Sequence, residues 1–377
     1  MNLLPRKKIV TFFIVFWAVF GLKFTSILDT SAIIFIPFIF FASFNKKLLS
    51  LLILIIFYTF QVFLLSAFTG IFDSWHLLQP VKSLVVFFGL IGVLNYFRVT
   101  NIKNHLSNAI FIHSIIVIIF YLVPSFQNEI NSLTGFISKS SFRVNGFTHS
   151  YGTTSLMHVI ALPILLSSSD KFKNLKITII LFSCFFLARV GLYIGVIFLV
   201  YEYFKVINLK RISVLFLLIF SFIAIMNWFI NSDPKDFSQT TQNYFLTFRW
   251  ALESFILLYD NGLFTNSSTN TLNFIILNDS LVSHLFGTGN FGRGAVHLET
   301  DISYLLYYSY VGVFGLILLV MIHSFLLIRK EKVLLFFSAI IFITAIKEPT
   351  FFTRGLWPIY ILLLYDYYER KSSITAC

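Results

Sequence analysis

Residues 48–68 read LLSLLILIIFYTFQVFLLSAF, an apolar run of 21 residues without one charged side chain. Coiled as a helix at 1.5 Å per residue, such a run spans roughly 30 Å, the thickness of a bilayer's hydrocarbon core. Eleven further apolar blocks flank it, at 9–28, 31–44, 78–97, 107–123, 151–168, 177–188, 190–204, 212–230, 302–328, 333–346 and 355–367. Over all 377 residues, 58% are hydrophobic and 12% charged, with a mean hydropathy of +0.86. A soluble domain carries roughly 25% charged residues. One aqueous core could not hide twelve such blocks, because burial needs a polar surface layer that this chain cannot supply. The expected fold class is therefore all-α: a polytopic transmembrane helical bundle of about twelve helices, forming a single integral membrane domain over 1–377. Its two cysteines, Cys184 inside an apolar block and Cys377 at the last position, build neither a disulfide framework nor a metal cluster.

The net charge of +12 then reads as topology, with no need of nucleic acid. With Arg6, Lys7 and Lys8 set in the cytoplasm and the sides alternated, seven cytoplasmic segments collect 18 of the 28 cations and five of the 16 acids. They include Lys46 and Lys47; Arg98 and Lys103; Lys171, Lys173 and Lys176; Lys205, Lys210 and Arg211; Arg329, Lys330 and Lys332; and Arg370 and Lys371. Every one of them is short and basic, as a chain with both termini cytoplasmic requires. Block 9–28 follows a basic N-terminus as a signal peptide would. It lacks a small-x-small cleavage pattern and is read as a retained anchor. Arg189 separates 177–188 from 190–204. Two short helices meeting near the outer surface are preferred to one long helix with an arginine at membrane depth, which costs roughly 2.5–3.5 kcal/mol.

Two outer loops are long, 124–150 and 231–301, and they cap the bundle. Loops of such length are uncommon unless functional. Within the second, Phe245 to Tyr259 (FLTFRWALESFILLY) has apolar residues at helical spacing, with Arg249 and Glu253 four apart. It reads as an amphipathic helix on the membrane surface or over a cavity. Half of the ten outer and intramembrane cations are arginines: Arg143, Arg189, Arg249, Arg293 and Arg354. The guanidinium fork suits phosphate oxygens, so the cluster suggests an anionic substrate, a lipid pyrophosphate above all. The alternative is a set of structural ion pairs with the outer acids.

Gly287-Thr288-Gly289-Asn290-Phe291-Gly292 matches G-x-G-x-x-G but lacks the strand, helix and βαβ unit that a dinucleotide site needs. A turn in which Gly287 and Gly289 let backbone approach a ligand, or change chain direction, is sufficient. There is no G-K-[ST] and no D-x-D, so neither ATP, a nucleotide sugar nor a metal is expected. His297, Glu299 and Asp301 follow at the start of block 302–328. A carboxylate there could deprotonate a sugar hydroxyl, or Asp301 could simply cap the helix. His149 and His158 read as polar lining, and His76, His113 and His323 have no partner in sequence.

In order, these features resemble the O-antigen polymerase (Wzy) family, within the superfamily shared with O-antigen ligases. The resemblance covers most of the chain from about residue 140 onwards. It is carried by Arg143-Val144-Asn145-Gly146-Phe147-Thr148, by Ala188-Arg189-Val190-Gly191 with alanine for the family's serine, by Phe248-Arg249-Trp250, by Leu285-Phe286-Gly287-Thr288-Gly289 and by Asp301 to Leu316. Asp301 stands where the ligases carry a histidine, which favours the polymerase branch. The resemblance implies a metal-independent glycosyltransferase at the periplasmic face of the bacterial inner membrane, using no cofactor. Its donor and acceptor would both be undecaprenyl-pyrophosphate-linked oligosaccharides, with membrane lipid and a chain-length regulator protein as partners. Arg143, Arg189 and Arg249 would bind pyrophosphate, Asp301 or Glu299 would act on the acceptor hydroxyl, and Gly287, Gly289, Arg293 and His297 would line the cavity. An O-antigen ligase and a lipid-linked oligosaccharide flippase are the alternative functions. The long 231–301 loop counts against the flippase.

Overall fold

The computed structural model describes residues 3–24, 29–71, 74–135, 143–148, 150–205, 238–261, 280–289, 303–327, 331–346 and 350–375, with parts of 220–235. Among these residues the protein is all-α. The first helices are α1 (Leu3–Phe20), the single turn α2 (Thr30–Ile33), a 3₁₀ segment η1 (Ile36–Phe41), α3 (Lys46–Thr69), α4 (Ser74–Tyr96) and α5 (Ile102–Leu122). The amphipathic α6 (Pro124–Thr134) follows, then α7 (Tyr151–Val159), α8 (Ala161–Ser167), α9 (Lys173–Leu187) and α10 (Arg189–Phe204). Beyond them come α11 (Gln239–Ala251), α12 (Glu253–Asn261), α13 (Leu281–Phe286), α14 (Ser303–Ser324), α15 (Lys332–Thr344) and α16 (Leu356–Thr375).

Among the described residues, four helical stretches are long and apolar enough to cross a membrane: Lys46–Thr69, Leu77–Tyr96, Ile102–Leu122 and Tyr304–Ser324. Helix α3 illustrates why. Its buried face includes Tyr58, Thr59, Gln61 and Ser66, while Ile53, Phe57, Phe60, Leu64 and Phe68 point outward and are exposed. A helix that is apolar even on its outer face belongs in lipid. At the centre lie α7, α8 and the first half of α16, whose residues from Leu356 to Asp366 are all buried.

Several blocks carry breaks. Block 9–28 runs past the end of α1 at Phe20, and Pro37 sits in η1, which packs on α4 at two glycines. A Cβ on Gly89 would come within 2.7 Å of the Phe35 carbonyl, and one on Gly92 would overlap that of Phe38. The expected pair of short helices around Arg189 is present: Ala188 is extended (φ −159°, ψ 143°) between α9 and α10. The expected single helix over 245–259 is instead two, broken at Leu252. Block 302–328 is also interrupted, at Gly312 (φ 66°, ψ −172°) within α14. Block 212–230 falls largely outside the described residues.

The Gly312 break leaves backbone carbonyls without their usual helical donors, and each finds another. Thr288 N–H (2.8 Å) and its hydroxyl (2.9 Å) donate to the Ser309 carbonyl, Gly289 N–H to that of Tyr310 (3.1 Å), and Gln61 Nε2 to that of Val311 (2.9 Å). Gly287, Gly289 and Gly312 all have positive φ. The glycine turn thus makes its close approach to the backbone of α14.

Ion pairs mark one end of the bundle. There Lys103 pairs with Glu331, Lys176 with Asp170 (2.6 Å), and Glu202 with both Lys205 (2.8 Å) and Lys332 (2.5 Å). These residues come from the segments expected to be short and basic, here gathered at one end.

Gly92→Val should destabilise the protein by about 2–3 kcal/mol, because the Phe38 backbone cannot retreat. Gly70 has positive φ (67°) but open space around it, so Gly70→Ala should cost only about 1 kcal/mol. Thermal unfolding in detergent, followed by fluorescence-detected gel filtration, checks the difference.

Candidate functional site

The opposite end gathers arginines. Arg354 precedes α16 at a tight turn where Gly355 takes φ 84°. Its Nη2 donates to the Gly21 carbonyl and its Nη1 to the Thr148 carbonyl at 3.4 Å. Its Nε lies 3.0 Å from Asp29 Oδ2, an ion pair off the line of a hydrogen bond. Asp29 is itself the N-cap of α2, accepting from the Ser31 N–H (3.1 Å) and hydroxyl (2.6 Å). One guanidinium therefore joins the end of α1, the start of α2, the 143–148 segment and α16.

Residues 143–148 form a strap across this end. Val144 N–H donates to the Phe186 carbonyl (2.9 Å) beside the α9–α10 break. Asn145 reaches Asn131 on α6 (3.4 Å), and Phe147 N–H donates to His113 Nε2 (3.3 Å). At the head of the strap, the Arg143 guanidinium lies 3.9 Å from the centre of the Trp250 ring. Arg189 lies 4.7 Å from the same ring, pairs with Glu253 and donates to the Trp250 carbonyl at 3.2 Å. Cation–π contact of this kind is worth roughly 0.5–2 kcal/mol each. Arg189 is held rigidly because Gly191 packs α10 onto α7: a Cβ there would come within 2.6 Å of Ser155.

Two of the three arginines expected to bind pyrophosphate, Arg143 and Arg189, are thus brought together on Trp250, while Arg189 and Arg354 also make the ion pairs of the alternative reading, with Glu253 and Asp29. Arg249 precedes that tryptophan on α11 and is half-buried. Glu253, four residues from Arg249, pairs with Arg189 instead, because the chain turns at Leu252 between α11 and α12. Gly287 and Gly289 lie against α14 as described. Arg293, His297, Glu299, Asp301 and His149 lie outside the described residues.

Next to Arg354 a cavity of about 130 Å³ opens between α2, α4 and the start of α16. Lys23, Lys82, Arg354 and Asp29 contribute its charges, and Ala32, Leu78, Val86 and Trp357 much of its apolar wall. Sequence reading missed this cavity, although the signal was present: Lys23 and Lys82 are cations inside apolar blocks, where charge is costly unless used or paired.

It also missed a buried histidine pair. His113 Nδ1 lies 2.8 Å from His158 Nε2, and both side chains are fully buried. The network assigns the tautomers. Because His113 Nε2 accepts from Phe147, its Nδ1–H donates to His158. The His158 Nδ1–H then donates to Ser183 Oγ (2.7 Å), whose hydroxyl donates to the Ile180 carbonyl (2.7 Å). Both rings are neutral, and Phe20 stacks on His113 at 4.0 Å. The pair fixes the strap to α5, α7 and α9.

Compared with protein-family models, with curated proteins and with solved structures, the chain matches none.

Removing either partner of the Arg354–Asp29 pair leaves a largely buried charge uncompensated. Arg354→Gln and Asp29→Asn should each cost about 3 kcal/mol. The double variant should cost less than the sum of the two. Melting temperatures of the three variants in detergent check this, and strict additivity would contradict the described pairing.

Proposed function

We propose that this chain polymerises undecaprenyl-pyrophosphate-linked oligosaccharide repeat units into long-chain O-antigen or capsular polysaccharide. In this reading it crosses the bacterial inner membrane twelve times with both termini in the cytoplasm, and the arginine end faces the periplasm. The observation that carries it is fixed positive charge at one end of an apolar helical bundle. Arg143 lies over Trp250, Arg189 is held by Glu253 and the Trp250 carbonyl, and Arg354 by Asp29 and two backbone carbonyls.

In the reaction, the acceptor hydroxyl attacks the anomeric carbon of the donor glycan. The bond from that carbon to the pyrophosphate oxygen breaks, and undecaprenyl pyrophosphate departs with the electron pair. Negative charge develops on the leaving oxygen, so donors already oriented toward it stabilise the transition state without reorganising. Arg189, Arg249 and Arg143 are assigned that role. Asp301, or Glu299 in its place, takes the proton of the acceptor hydroxyl. Gly287, Gly289, Arg293 and His297 border the cavity that receives the glycans. A chain-length regulator protein is the expected partner.

Complementation of a null strain tests the reading. Arg189→Ala, Arg249→Ala and Asp301→Asn should each lower polymerisation about a hundredfold or more. Gel electrophoresis of the surface polysaccharide should then show single repeat units attached, with the variant present in the membrane at normal level by immunoblot. Long-chain product from both arginine variants would sink the proposal. A null strain with polymer on lipid but none attached would point to a ligase, and one making neither to a flippase.

A further inference from the structure

Arg143 heads a strap whose position is set from inside the bundle. Its guanidinium rests on Trp250, 3.9 Å from the ring centre. Behind it, Val144 N–H is tied to α9 at the Phe186 carbonyl, and Asn145 to α6 at Asn131. The next two residues, Gly146 and Phe147, both lie on one imidazole. Phe147 N–H donates to His113 Nε2, and a Cβ on Gly146 would come within 2.6 Å of His113 Cε1 and Nε2. Gly146 takes φ 58°, which glycine adopts without strain. The imidazole has nowhere to retreat. Phe20 stacks on it at 4.0 Å with the ring planes 7° apart, and its Nδ1–H donates to His158 Nε2 at 2.8 Å. His158 is held in turn by Ser183 at 2.7 Å. His113, His158 and Ser183 are all 0% exposed. A polar chain at such depth is costly unless every member is partnered, and the outward end of this one is the strap.

We propose that His113 is a positioning residue for Arg143. It acts through the backbone of Gly146 and Phe147, and holds the strap at the height that places the guanidinium over Trp250, on the ring that Arg189 also contacts. The proposal rests on the role assigned to Arg143 in binding pyrophosphate. Stabilising a leaving group depends on donors that are already in place, and a misplacement of about 1 Å can cost roughly a hundredfold in rate. A loose strap would let the long arginine side chain wander, whereas a fixed backbone with an indole beneath the guanidinium confines it. The chemistry of the imidazole suits the task. A neutral ring supplies one acceptor and one donor, so it grips the strap with one nitrogen and the core with the other. An aliphatic side chain would fill the volume but leave Phe147 N–H and His158 Nε2 without these partners.

Hydrogen exchange and complementation together test this. In the full-length chain, purified in detergent, amide exchange of the peptide spanning 143–148 is followed by mass spectrometry. His113→Leu and Gly146→Ala should each speed it about tenfold or more. His113→Gln, whose amide keeps one acceptor and a donor, should stay near the wild type. In the null strain, His113→Leu and Gly146→Ala should each lower long-chain polysaccharide about tenfold at normal membrane level, and His113→Gln should recover most of it. Adding either damaging substitution to Arg143→Ala should lower the product no further, because both act through one guanidinium. A merely structural histidine would lower it in both backgrounds. Wild-type exchange in both damaged variants, full product from His113→Leu, or a further loss in the Arg143→Ala background overturns the proposal. Full product from Arg143→Ala, with none from Arg189→Ala, also overturns it and leaves the polymerase reading standing. Full product from Arg189→Ala and Arg249→Ala defeats that reading and this role with it.

Discussion

The structure depends on one largely buried guanidinium. Arg354 is 333 positions from Gly21 and 206 from Thr148 along the chain, yet it bonds to both and pairs with Asp29. A charge out of water is tolerated only where such partners surround it, and the desolvation cost is several kcal/mol when they are absent. The requirement works in both directions. It fixes where α1 ends, where α2 begins, how the strap crosses and where α16 starts. Because α16 is the central helix, whatever positions its first turn also positions the helices packed around it. The same pair supplies two of the four charges in the neighbouring cavity.

Charge is distributed between the two ends with different chemistry. At the lysine end two pairs are local, Lys205–Glu202 and Lys176–Asp170, and two join different segments, Lys103–Glu331 and Lys332–Glu202, with Lys205 and Lys332 half in solvent. The two pairs of Glu202 with those exposed lysines contribute little, about 0–1 kcal/mol each. At the arginine end the partners are carbonyls, an aromatic face and single carboxylates. The first arrangement suits anchoring. The second keeps permanent positive charge in fixed geometry, which an anionic ligand can use without first organising it.

Much of this was legible locally. Apolar runs such as 48–68 and 78–97 declare their helices because lipid-length periodicity is written in consecutive residues, and the helix break at Arg189 follows from the cost of a charge at membrane depth. The glycine turn at 287–289 was legible as a close approach, but its target was not, since Gly312 lies in an otherwise ordinary apolar run. The histidine pair joins positions 45 apart, and the cavity joins Lys23 to Arg354. Neither has any periodic signature, because the pairing is made by helix packing. Lys23 and Lys82 could have been singled out as cations within apolar blocks, but nothing in sequence says that they converge. Arg189 and Glu253 were both visible, yet proximity in sequence pointed Glu253 toward Arg249.

The interruption at Gly312 has a consequence for how the chain is made. A membrane helix normally satisfies its own backbone and can enter lipid alone. Helix α14 cannot do so fully: the carbonyls of Ser309, Tyr310 and Val311 rely on Thr288, Gly289 and Gln61. One of those donors leaves the ribosome 250 residues before the carbonyl it serves. Insertion of α14 is therefore tied to prior settling of α3. The late helix waits on the early one, and the order of synthesis is also the order in which its backbone can be made whole.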